Sequence, residues 1–230
     1  MRKVTVLPIL VFFALLSFPL LLTGGCAFLL MKWLDGRFWG EILLALLVVF
    51  VFLVLTVVVY RAYISLFPFP EGELAVGSAE EFRYLVYIMF WLMVFLPVLR
   101  LCIIPVPLSR LVLIALGGKV GEGTYSSGLV FDPHLVSIGA GTQLGIDCLI
   151  IPHAQAAGKL AHHRVCIGDN VTIGGRSVIM AGAVIEDGAV VGFCSLVTKG
   201  THIRKDEVWG GVPARLIRAA STTSGPPADA

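Results

Sequence analysis

The chain has 230 residues, of which 57% are hydrophobic and only 14% charged, and it carries a formal net charge of +2. A mean hydropathy of +0.93 excludes a single ordinary soluble domain, and so even a charge balance gives no electrostatic footprint for nucleic acid. The apolar excess lies in the first half, which predicts a membrane part followed by a water-facing part.

After the basic start Met1-Arg2-Lys3, the apolar run Val4 to Met31 exceeds the roughly 20 residues needed to cross a bilayer. Thr23-Gly24-Gly25-Cys26 has the outline of a lipoprotein cleavage box. Thr23 stands where an aliphatic residue is expected, however, and Ala27 to Leu30 continue the apolar run, which favours a retained span. A polar loop with Lys32, Asp35, Arg37 and Glu41 leads to a second span, Ile42 to Tyr60, closed by Arg61. Residues 1–67 thus read as a transmembrane helical hairpin. Phe67 to Gly72 breaks the pattern, and Glu71 to Arg83 is polar enough for an exposed connection. Tyr84 to Leu99 is apolar again, but Pro97, Arg100, Pro105 and Pro107 interrupt it. Residues 68–116 are therefore expected to be a connector with an interfacial or re-entrant helix, and Pro107 to Leu116 to form a short amphipathic piece.

Residues 117–218 carry a different pattern. From Ile167 the chain divides into blocks of six headed by Ile167, Ile173, Ile179, Ile185, Val191, Val197, Ile203 and Trp209. The fifth place of each block is small until the last two. Neither a 3.6-residue nor a 2-residue period produces this; a repeating strand-and-turn unit does. Such repeats bury their apolar face only by stacking. Ile138, Leu144 and Ile150 head three earlier blocks. The 17 positions from Ile150 to Ile167 read as two blocks plus a five-residue bulge between Pro152 and Val165, the sole interruption of the repeat. A short closing helix is expected from Arg215 to Ala220, with a disordered tail over 219–230. Cys26, Cys102, Cys148, Cys166 and Cys194 are odd in number and lack metal-ligand spacing, so they read as small apolar fillers in a reducing compartment.

These blocks resemble the hexapeptide-repeat acyltransferases. The resemblance covers roughly residues 107 to 218, and LGGKVGEGTY resembles the entry of the membrane-anchored branch of that family. It implies a left-handed parallel β-helix, a homotrimer, and acetyl-CoA or another acyl-CoA as co-substrate, with no metal. More distantly, FDPHLVSIG and the order of spans before repeats are similar to the terminal region of poly-lysine-type peptide synthetases.

Loops on a rigid scaffold are where reactive groups gather, and the interruption contains His153, Lys159, His162, His163 and Arg164. The resemblance implies that His153 is the general base, a role suited to an imidazole that titrates near neutrality. His162 and His163 are adjacent, so in extended chain only one of them faces the same site. Asp132, Asp147 or a backbone carbonyl would orient the base; Asp147, His162 and His163 are carried as substrate-site candidates. His134 and His202 read as surface residues.

Ser195-Leu196-Val197-Thr198-Lys199 and Trp209-Gly210-Gly211-Val212-Pro213-Ala214-Arg215 resemble the family's donor segments. The resemblance implies backbone contacts to the acyl donor at Gly175 and Phe193, with Thr198 and Lys199 close by and Arg215 and Arg218 near its phosphates. Gly192-Phe193-Cys194 departs from the family's Gly-Ala-Gly, so a phenyl ring stands in or beside the groove. The γ-class carbonic anhydrases share the repeats and bind zinc through three histidines, but none stands near Gly175, Arg176 or Met180.

The expected activity is acyl transfer to a hydroxyl or amine, with a lipid-linked or envelope glycan as one acceptor class. A non-catalytic trimeric membrane scaffold is the alternative. A cytosolic donor with a cytosolic N-terminus requires an even number of crossings, which places the repeats in the cytosol and Lys32 to Glu41 outside.

Overall fold

The computed structural model describes residues 6–34, 38–101, 104–156 and 159–220. The chain divides into two compact units, with boundaries at Pro70/Glu71, Leu74/Ala75 and Arg100/Leu101, so that Glu71–Leu74 belong with the repeats.

In the helical unit, α1 (Val6–Leu34) and α2 (Phe38–Leu66) are apolar on every side, as suits a lipid surrounding. Helix α1 runs unbroken through Thr23 to Cys26, and the Thr23 hydroxyl donates to the Pro19 carbonyl at 2.7 Å. A third helix begins inside the stretch expected to be an exposed connection. Ser78, in an extended conformation, accepts from the Glu81 amide, and the Glu81 carboxylate accepts from Gly77 N–H; this cap fixes the start of α3 (Ala79–Phe90). Pro97 does not end the helix either. A π-turn at Trp91–Phe95, in which the Leu96 N–H reaches back to the Trp91 carbonyl, leads into α4 (Leu96–Arg100). Widening the helix there accommodates a proline that lacks a donor and would crowd the carbonyl four residues back. Ala79–Arg100 is thus the third helix long and apolar enough to cross a membrane, beside Val6–Lys32 and Trp39–Leu66.

In the other unit the repeats form a triangular parallel coil. Face one stacks β2 (Lys119–Val120), β5 (Val136–Ile138), β10 (Val165–Ile167), β13 (Val184–Ile185) and β16 (His202–Ile203). Face two stacks β3 (Tyr125–Ser126), β6 (Gln143–Leu144), β11 (Thr172–Ile173), β14 (Val190–Val191) and β17 (Val208–Gly210). Face three stacks β4 (Leu129–Val130), β7 (Leu149–Ile151), β12 (Val178–Met180) and β15 (Leu196–Val197). Ile167 registers with Ile185 and Ile185 with Ile203, one turn every three blocks. The block-heading residues from Ile167 to Ile203 fill the axis, with Trp209 packed against them.

Both ends are closed. Helix α5 (Ser109–Ala115) sends Leu113 into the core, and its Arg110 donates to the Gly121 carbonyl at 2.8 Å. The expected amphipathic piece is therefore the coil's first cap rather than part of a connector. At the other end the expected closing helix is a strand. β18 (Arg215–Arg218) folds back antiparallel on β17, pairing an edge that would otherwise be open, with Ile217 lying over the bare Cα of Gly210.

The repeat is interrupted twice, not once. Val130 registers with Ile150 and Ile138 with Ile167, 20 and 29 positions apart, against the 18 from Ile167 to Ile185. Two extra residues lie between β4 and β5, and eleven between β7 and β10. The larger excursion is an antiparallel hairpin, β8 (His153–Ala156) and β9 (Lys159–His162). The expected five-residue bulge undercounts it because only one block separates Ile150 from Ile167 in register; extended hairpin residues mimic a second block. Strand β1 (Gly72–Leu74) pairs with β9 to complete a three-stranded sheet.

Candidate active site

Both interruptions leave the coil at the same corner, where face three turns into face one, and on adjacent turns. The smaller contains Asp132, whose backbone is left-handed (φ 44°) ahead of the 3-10 turn Pro133–Leu135. The larger begins at His153. Asp132 Oδ2 lies 2.5 Å from His153 Nδ1, with the Asp132 side chain 1% exposed and the His153 side chain 23%. An ionised carboxylate only accepts, so Nδ1 carries the proton and the Nε2 lone pair is left for other chemistry. The Phe131 ring stands edge-on to the imidazole, centroids 6.0 Å apart. A carboxylate this deeply buried requires a polar partner, and His153 supplies one.

His162 faces His153 directly across the hairpin and is 1% exposed. Burial pushes its imidazole below the ordinary value, with Asp132 opposing and His153 and His163 adding to the depression. Its neighbour His163 turns the other way and stands over Gly182, where an added Cβ would meet its Cβ at 3.4 Å. His134, expected at the surface, has both ring nitrogens buried because the 3-10 turn folds it inward. His202 is exposed and pairs with Glu186 at 2.7 Å.

The remaining candidates occupy two corners. Asp147 stands where face two turns into face three, at the opposite end of β7 from His153, and its neighbour is Arg176 at 4.0 Å. It does not orient the imidazole; Asp132 does. Gly175 and Phe193 share the Asp147 corner. Gly175 is tight, for a Cβ there would come within 2.6 Å of the Phe193 ring, so the phenyl ring lies over the glycine while remaining 61% exposed. An open groove of about 500 Å³, lined among others by Tyr125, Gln143, Thr172 and Gly175, runs along face two beside this corner. Thr198 and Lys199 lie instead at the His153 corner, in the turn after β15. Thr198 bonds Thr201 at 3.0 Å, and Lys199 acts electrostatically on Glu73. A single chain therefore divides the donor candidates between two edges. Arg215 and Arg218 are exposed on β18, a strand and not a helix.

The cysteines are not uniformly fillers. Cys148 is buried, its thiol pushed up to about 12 by burial with Asp147 adding, whereas Cys26 and Cys194 are exposed; Cys102 and the tail from 221 lie outside the described residues. Sequence reasoning passed over the small insertion, although Asp132-Pro133, an acidic turn-former before proline between two block positions, marks it.

Comparison with known proteins places the coil. The bacterial transferase hexapeptide family (six repeats) matches residues 167–199. Gamma carbonic anhydrase 1, mitochondrial, of Arabidopsis thaliana is 33% identical over 120 residues, 43% of this chain and 43% of that protein. Galactoside O-acetyltransferase of Escherichia coli is 36% identical over 88 residues, 33% of this chain and 42% of that protein. The chain thus spans less than half the length of either relative. A hexapeptide-repeat acetyltransferase of Vibrio cholerae, solved in complex with acetyl coenzyme A, overlaps 46% of this chain and 61% of its own at 22% identity and a TM-score of 0.42. Residues 167–199 of this chain thus carry the bacterial transferase hexapeptide repeat.

Proposed function

We propose that the chain is a membrane-anchored acyltransferase whose general base is His153, oriented by Asp132. The observation that carries this reading is the pairing of buried Asp132 with the partly exposed His153, built from two separate departures from an otherwise strict repeat. His153 Nε2 takes the proton of an acceptor hydroxyl or amine as the acceptor oxygen or nitrogen bonds to the thioester carbon of acetyl-CoA or a related acyl-CoA. The tetrahedral intermediate collapses with loss of the CoA thiolate, which receives the proton from the imidazolium. Asp132 holds the required tautomer and offsets the transient charge on the ring.

The donor is assigned to the edge that carries Gly175 and Phe193, with Thr198, Lys199 and Arg215 as further contacts. Because Gly175 and Thr198 stand on different corners, one composite groove requires two subunits, which supports a homotrimer of left-handed coils. The coil and the N-terminus are assigned to the cytosol, where acyl-CoA is found, and a lipid-linked or envelope glycan is the favoured acceptor.

The test is His153→Ala in the full chain, in detergent, with CoA release followed by a thiol reagent across a panel of hydroxyl and amine acceptors. Loss of a general base lowers turnover by about 10² to 10⁴, while thermal stabilisation by acetyl-CoA stays unchanged because the donor is gripped elsewhere. Near-normal turnover in a folded variant overturns the assignment. The carbonic anhydrase relative motivates a parallel zinc measurement: bound zinc in the wild type that falls on replacing His153 favours a metal site instead.

A further inference from the structure

The helix Ala79–Arg100 has the length and composition of a span, yet Glu71–Leu74 shortly before it and the chain from Leu101 after it belong to the coil unit. Before it, Gly72, Glu73 and Leu74 register against His162, Ala161 and Leu160 of the hairpin. Leu74 and Leu160 are buried, and Glu73 pairs with Lys159 at 2.9 Å and Glu71 with Arg164 at 2.5 Å. After it, α5 is fixed to the coil by Leu113 and Arg110. Four residues separate Leu74 from Ala79, and five separate Arg100 from Val106. Extended chain covers at most about 3.6 Å per residue, so either connection reaches roughly 20 Å, short of a hydrocarbon core about 30 Å thick. A connection threaded back through lipid would also leave its backbone groups without partners.

The packing inside the helical unit agrees independently. A third span running beside α2 would touch it along its whole length. Instead Tyr87, Phe90 and Phe95, two turns apart along the third helix, all meet the one residue Tyr60, at 5.8, 6.1 and 4.9 Å between ring centroids. Phe90 also meets Phe12 at 5.0 Å, and Tyr63 donates to the Arg83 carbonyl at 3.0 Å. Phe12 lies in the second turn of α1, and Tyr60 and Tyr63 in the last two turns of α2, so every one of these contacts is at the open end of the hairpin.

We propose that Ala79–Arg100 does not cross the membrane: it is a re-entrant helix lying over the open end of the α1–α2 hairpin, with both ends on the coil's side and its exposed Leu92 and Met93 in lipid. Among the described residues, only α1 and α2 cross.

Three single variants of the full chain, Val76→Cys, Trp39→Cys and Lys205→Cys, test this in sealed vesicles of both orientations. A membrane-impermeant maleimide is applied and adducts are located by peptide mass spectrometry, so native cysteines need not be removed. The expected result is that Val76→Cys, at an exposed position, and Lys205→Cys on the coil label from the same side, and Trp39→Cys from the other. Labelling of Val76→Cys and Lys205→Cys from opposite sides makes the helix a full span and overturns the proposal. Protection of Val76→Cys from both sides overturns it too, since a water-facing β1 is required. The readout is sidedness, so it is independent of whether the protein transfers acyl groups.

Discussion

Two corners of the same coil bury polar groups in opposite ways. Where face two turns into face three, the small residues of successive blocks bond to neighbouring turns. Ser177 Oγ donates to the Gly192 carbonyl and accepts from the Ser195 amide, and Ser195 Oγ in turn accepts from Gly211 N–H. Every such hydroxyl serves the backbone and the repeat stays strict. Where face three turns into face one, the repeat is broken twice: Asp132 is buried and pairs with the partly exposed His153, and the buried His162 feels the charge of both. A block of six has room for a hydroxyl at its corner but none for a carboxylate and an imidazole, so ionisable chemistry requires extra residues. The lesson is that insertions, more than composition, mark where a repeat does something other than fold.

The comparison breaks most sharply through Asp132. Asp132→Asn keeps the shape but no longer enforces the Nδ1–H tautomer, and the acyl-transfer rate is expected to fall by about 10² to 10⁴, the range for losing a general base, with the melting temperature moving little. An equal loss of stability and turnover would make Asp132 a packing residue. Next in size is Ile179→Ala on the axis between the two corners. Ile179 is fully buried, and chemical denaturation should report about 2–5 kcal/mol of lost stability; an unchanged midpoint would mean the axis tolerates a cavity.

Ser177→Ala tests the strict corner. It leaves the Ser195 amide without its acceptor, so a destabilisation of about 1–3 kcal/mol is expected with turnover per folded molecule unchanged. The His162 corner, in contrast, should be pH-sensitive. Burial lowers the folded-state pKa of His162 below its ordinary 6.5, so the folded protein binds fewer protons than the unfolded chain between the two values. That contribution to stability is fully present above about pH 6.5 and is lost as the pH falls from there through the folded pKa. Hydrogen exchange of β8 and β9 should accelerate over this window, and His162→Phe should flatten the dependence. The smallest effect belongs to Asp147→Asn: its partner Arg176 is 4.0 Å away and both are exposed, and asparagine tolerates the left-handed backbone there (φ 56°), so neither melting temperature nor turnover should move measurably.

The periodic part of the molecule was legible because a stacked coil imposes one constraint per block. An apolar residue every six positions from Ile167 to Ile203 follows from there being one axis to fill, and the small fifth residue follows from the tightness of each corner. The two long helices were legible for a similar reason, since uniform apolarity over 20 residues has few other uses. Each pattern that repeats or persists could thus be read from the residues alone. Tertiary structure decided the rest. Asp132 is 21 positions from His153, and only the stacking of adjacent turns makes them neighbours. Gly72 to Leu74 resemble a loop until β9 offers an open edge to pair with, and Arg215 to Arg218 look like a helix until β17 does the same. Strand pairing is satisfied by whichever backbone lies alongside, so a three- or four-residue edge strand is specified by its partner and not by its own side chains.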